Sequence, residues 1–223
     1  MTQTISTIIA CIILLLTSAV AYQYLTHRVD GKCVTKEFLK IKYEFMPLLV
    51  MLIAFLTSAF VFVFGFWHKD ESFMRAFMNA SVMLWLFVVG YIDARERIIP
   101  NSLIGLALLF WLVLMLLDIF VGGTNWLQLL AFSGIGGIVC GGILFVIALI
   151  AKSALGMGDV KMFFVLGLLY GLTDAYGILM LSVISMGLVS IALLIAKKVT
   201  TKSTIPMAPF VVLGFLASII AGM

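Results

Sequence analysis

Apolar residues in this chain come in long unbroken blocks, and polar ones are confined to short intervals between them. The blocks lie near 4–25, 46–67, 76–95, 101–121, 127–151, 154–173, 175–196 and 206–222. About 20 consecutive apolar residues is the length a helix needs to cross the hydrocarbon core of a bilayer. The pattern therefore predicts an all-α, polytopic membrane protein with about eight transmembrane helices. The first block also has small residues, Ser18-Ala19-Val20-Ala21, where a signal peptide would be cleaved. Its basic residues follow the block instead of preceding it, the reverse of a signal peptide, so it is expected to stay as a helix.

Composition leaves the same class standing and removes others. Of 223 residues, 64% are hydrophobic and 11% charged, and the mean hydropathy is +1.26. Soluble domains carry about 25% charged residues, and a soluble fold of this size could not hide so much apolar surface. The net charge of +4 suggests a nucleic-acid partner only until the charges are placed. Arg28, Lys32, Lys36, Lys40 and Lys42 fall in the first connection, 26–45. Arg95 and Arg97, then Lys152 and Lys161, then Lys197, Lys198 and Lys202 fall in every second connection after it. Only Lys69 and Arg75 lie in the others, so twelve of the fourteen basic residues share one side. By the positive-inside rule that side is cytoplasmic, and both chain ends face outward. The partner this charge implies is membrane lipid and not nucleic acid. Two regions are expected: helices 1–2 with their basic loop over 1–75, and a six-helix core over 76–223.

Cys11, Cys33 and Cys140 form no CxxC pair and no metal-ligand spacing, so neither a disulfide framework nor a metal site is expected. The glycines Gly134, Gly136, Gly137, Gly141 and Gly142 sit inside an apolar block without a preceding strand or a following Lys-Ser/Thr. They point to close helix packing, with Gly137 and Gly141 one turn apart, and not to a phosphate loop.

Acidic residues inside membrane spans are costly and usually have a task. Asp30, Glu37, Glu44, Asp70 and Glu71 lie in connections, and Asp118 and Asp174 near expected outer helix ends. Asp93 and Asp159 differ. Asp93 closes the third block, and Asp159 stands in Gly156-Met157-Gly158-Asp159-Val160-Lys161 with an apolar run behind it. From there to Thr173 the run spans only about 21 Å as helix, short of a core of about 30 Å. Both carboxylates are thus expected near the cytoplasmic surface, at one depth. Two close carboxylates hold a single proton between them, which suits water-mediated peptide hydrolysis: the ionised partner takes a proton from water, and the protonated one hydrogen-bonds the scissile carbonyl. The start of a helix favours the anion and its end disfavours it, which makes Asp159 the expected base and Asp93 the proton carrier. Gly156 and Gly158 would let the backbone turn tightly and pass close to substrate.

At these residues the chain resembles the type IV prepilin peptidases, a family of GxGD intramembrane aspartyl proteases. Gly156–Lys161 is similar to the family's GxGDxK motif, and Leu166-Gly167-Leu168-Leu169-Tyr170-Gly171 to its LGxxxG segment. Asp93-Ala94-Arg95-Glu96-Arg97-Ile98-Ile99-Pro100-Asn101 resembles the first catalytic element, an Asp followed by an apolar-Pro-Asn/Asp turn. Ile205-Pro206-Met207-Ala208-Pro209-Phe210 resembles the late proline-containing element. The resemblance implies Asp93 and Asp159 as the catalytic pair, with Gly156, Gly158, Lys161, Asn101, Pro206 and Pro209 shaping the motifs or positioning substrate. It implies an aspartic endopeptidase of the cytoplasmic membrane, without cofactor, that removes a short basic leader from pilin-like precursors at the cytoplasmic face. The precursor's apolar helix would lie among the enzyme's own. Larger members carry a cysteine-paired cytoplasmic domain linked to N-methyl transfer. Here the corresponding region is about 26–45 with Cys33 alone, so neither zinc nor methyl transfer is expected.

Two other readings compete. Presenilin and signal peptide peptidase also pair an Asp with GxGD, but Pro206-Met207-Ala208-Pro209 does not supply their late Pro-Ala-Leu element. A proton-coupled secondary transporter also uses intramembrane carboxylates and broken helices, yet the two halves of this chain lack matching pairs. Arg95, Glu96 and Arg97 fit anchoring to anionic lipid better than substrate binding.

Overall fold

A computed structural model describes residues 2–29, 32–33, 45–120, 125–150, 156–197 and 205–222. Seven helices account for most of them: α1 (Thr2–Thr26), α2 (Phe45–Val63), α3 (Phe73–Glu96), α4 (Asn101–Phe120), α5 (Trp126–Ile150), α6 (Met157–Ile195) and α7 (Ala208–Ala221). A π-helical turn, Phe64–His68, continues α2. Among the described residues the only strands are the two-residue pair Arg28–Val29 and Lys32–Cys33. Most of the basic 26–45 connection lies outside the described residues, as do Lys152, Lys198 and Lys202.

Among the described residues six helices are long and apolar enough to cross a membrane, and the chain is a multi-pass membrane protein. The last three expected blocks differ from the first five in how they are separated. The blocks at 154–173 and 175–196 follow one another within the 39 residues of α6 as two helices that meet at a kink at Gly171, and the last helix has 14 residues. The cause is local. Thr173-Asp174 carries no proline and no run of polar residues, so the break between the two helices falls at Gly171 and not at this pair. Gly171 has φ 70° and ψ −171°, a region open essentially to glycine alone. Asp174 lies three residues past the kink, near the start of the helix that follows it, and accepts a hydrogen bond from Thr173 Oγ1 at 3.2 Å.

The chain divides into two compact units, Met1–Glu96 and Arg97–Met223. In the first, α1, α2 and α3 pack together around Ala10, Leu14, Phe62, Ala76 and Ala80. Small residues at 10, 76 and 80 admit the ring of Phe62, which meets Phe66 and Phe73 at 5.5 and 5.8 Å. Trp67 Nε1 donates to Thr7 Oγ1 at 3.2 Å and ties the end of α2 to α1.

In the second unit α5 lies along α6, and the glycine pattern explains how. A Cβ at Gly136 would strike the backbone of Gly167 and Gly171, and one at Gly137 would come within 2.9 Å of Leu168. At Gly141 it would come within 2.9 Å of Phe164. Contacts that fall along α6 as they rise along α5 mean that the two run antiparallel. Gly134 and Gly142 face open space, so only part of the glycine cluster serves packing. α7 packs on α6 through Gly214 against Ser182, with Tyr170 meeting Phe215 edge-on at 5.5 Å. α4 touches α6 and buries Leu103, Ile104 and Ala107 near its start, while its remaining apolar side chains are exposed or half-buried, as lipid-facing ones would be.

Candidate functional site

Asp93 lies one turn from the end of α3 and is 7% exposed. It belongs to the first unit. Two residues either side of it, Arg95 Nη1 donates to Tyr91 Oη at 2.8 Å, with the guanidinium 5.6 Å over the Tyr91 ring. Arg95 is exposed and also bonds within its own helix. Tyr91 and Arg95, with Phe45, Met46 and Pro47 at the start of α2, line an open cleft of about 580 Å³ in the first unit. Arg97, in the left-handed conformation at φ 55°, follows the last residue of α3.

Asp159 lies in the first turn of α6, in the second unit. Gly156 is the N-cap, with extended φ −77° and ψ 143° and no side-chain cap. That places Asp159 at the third helical position, where a carboxylate faces the positive end of the helix. The helix starts two residues before Asp159, at Met157, so the motif glycines form the N-cap and entry turn. Asp159 Oδ2 would sit 3.2 Å from a Cβ on Gly156, so the carboxylate folds back over the N-cap glycine. A Cβ on Gly158 would lie 2.9 Å from Ile99 Cβ, 3.2 Å from its Cγ1 and 3.4 Å from its Cδ1. The second glycine of the motif is required because the Ile99 side chain lies across it.

The structure also brings Asn101 and Lys161 together: Lys161 Nζ donates to Asn101 Oδ1 at 2.9 Å. Sixty positions separate them in sequence. Pro100 starts α4, its carbonyl accepting from the N–H groups of Leu103 and Ile104. Pro206 precedes α7 and Pro209 occupies its first turn, where a missing N–H costs nothing. There Ser185 Oγ reaches Phe210 O at 3.5 Å, which ties the start of α7 to the second half of α6. Ile99 was not singled out by sequence, although its place beside Pro100-Asn101 was the available signal.

A family model described as the type IV leader peptidase family matches residues 80–191, about half of the chain. The chain belongs to the type IV leader peptidase family. The match spans Asp93, the Ile99–Asn101 segment, the Gly156–Lys161 turn and the Gly171 kink, and stops before α7. Membership in this family makes the protein a peptidase. No curated protein and no solved structure matches the chain.

Proposed function

We propose that the protein is an intramembrane aspartic endopeptidase that removes the short basic leader of type IV prepilin-like precursors at the cytoplasmic face of the cell membrane. Asp93 and Asp159 are its catalytic pair, within a core over 76–223. The observation that carries this reading is the Gly156–Lys161 turn. It presents Asp159 at the start of a helix, braced from the Ile99–Asn101 segment, in a family match that also contains Asp93.

The roles follow from helix ends. The positive end of α6 stabilises ionised Asp159, which suits a base that draws a proton from water. Asp93 lies near the end of α3, where a carboxylate is better kept protonated, and it would donate to the scissile carbonyl. As the C–N bond breaks, the amine takes from Asp159 the proton drawn from water, a hydroxyl of the tetrahedral intermediate returns its proton to Asp93, and both carboxylates regain their starting states. A precursor with an apolar helix enters from the bilayer, and its basic leader remains in the cytoplasm with the enzyme's basic loops near the lipid.

Purified protein incubated with a synthetic prepilin-like precursor tests the proposal. Asp93→Asn and Asp159→Asn are each expected to lose cleavage by about a thousandfold or more, the scale at which an acid–base group acts. Either variant cleaving near the parent rate removes the dyad. Solute uptake driven by membrane potential, with no cleavage, would favour a transporter.

A further inference from the structure

We propose that Ile99 and Asn101 are positioning residues for Asp159, acting through the first turn of α6; this rests on the reading of Asp159 as a catalytic carboxylate. The first turn of a helix is the part least held by its own backbone, because its N–H groups have no partners within the helix. In α6 the N-cap is a glycine that supplies no side-chain cap, and the backbone holds the turn only through its carbonyl, which accepts from Asp159 N at 3.1 Å and Val160 N at 3.5 Å. Further constraint comes from outside the helix, and two of its points are Ile99 and Asn101. Ile99, 9% exposed, lies flat over Gly158. Asn101, two residues further on, accepts the hydrogen bond of Lys161.

Gly158 and Lys161 are three positions apart and therefore share a face of the helix. A single contact would leave the turn free to roll about its axis. Two contacts on one face, both made from the same short segment, fix its rotation. Asp159 lies between them in sequence, about 100° around the helix from Gly158. Its direction is thus set by the clamp. Pro100, between the two clamping residues, holds their spacing by starting α4 with its fixed φ. The Lys161–Asn101 bond is exposed, so its worth to folding is small and a large effect on turnover would come from position.

The test uses the full chain in detergent or liposomes with a synthetic precursor, measuring kcat, KM and thermal unfolding. Asn101→Ala is expected to lower kcat about tenfold or more, since a misplacement near 1 Å can cost a hundredfold. KM and the unfolding temperature should stay close to the parent values. Asn101→Asp keeps an oxygen acceptor for Lys161 and should recover most of kcat. In a Lys161→Met background Asn101→Ala should add little further loss. Ile99→Ala should lower kcat, and Ile99→Val, which keeps the Cβ on Gly158, should lower it less. If Asn101→Ala and Ile99→Ala both keep parental kcat while Asp159→Asn is inactive, the clamp is wrong and the reading of Asp159 stands. Cleavage by Asp159→Asn overturns both. A change in KM alone, or failure of Asn101→Asp to recover activity, also overturns the clamp.

Discussion

Gly167→Ala tests the packing that sets the shape of α6. The new Cβ would meet the carbonyl of Gly136, with its carbon at 2.6 Å, and the amide nitrogen of Gly137 at 2.7 Å. Ordinary non-bonded separations are about 3.5–4.0 Å, so α5 and α6 must part by about 1 Å. Backbone atoms cannot rotate away as a side chain would. A gap of about 0.5–1 Å forfeits a quarter to a half of each dispersion contact along the seam. Overpacking costs about 1–3 kcal/mol, and a clash with backbone belongs at the upper end. Alanine's better helix propensity offsets up to about 1 kcal/mol. The net loss is about 2 kcal/mol, or a fall in Tm of about 4–8 °C for a chain of this size. Circular dichroism during heating in detergent measures it. Gly134→Ala and Gly142→Ala are the controls, because a Cβ at either meets nothing within 4 Å. Gly167→Ala melting with the parent, or the controls falling as far as it does, would refute the reasoning.

Two further outcomes are expected. Gly158→Ala forces its Cβ to within 2.9 Å of Ile99 Cβ, so cleavage should fall by about tenfold to a hundredfold while Tm moves little; parental turnover in a folded variant would count against the Ile99 contact. Gly171→Ala combines a clash with the Phe132 ring and a backbone conformation that costs other residues about 1–3 kcal/mol. Phe132→Ala removes only the clash, so the Gly171→Ala/Phe132→Ala pair should still melt below Phe132→Ala alone; equal melting would show that the backbone carries no strain.

Chain chemistry was enough to establish a membrane protein of apolar helices, because spanning length and the exclusion of charge are local properties of the sequence. The placement of α1 to α5 followed within a few residues. The Gly156–Lys161 turn was legible for the same reason: glycines and an acid at a helix start are local signals. The family, too, was readable from the ordered motifs between Asp93 and Gly171.

Tertiary structure alone decided the rest. Whether a glycine breaks a helix, packs a neighbour or faces lipid depends on what lies against it: Gly171 kinks α6, Gly136 meets the backbone of α6, and Gly142 meets nothing. No pattern along the chain distinguishes these three. The Lys161–Asn101 bond and the seat of Ile99 on Gly158 join residues about sixty positions apart. Such pairings are fixed only when helices dock, because the free energy that selects them comes from contact between surfaces and not from the propensity of either segment.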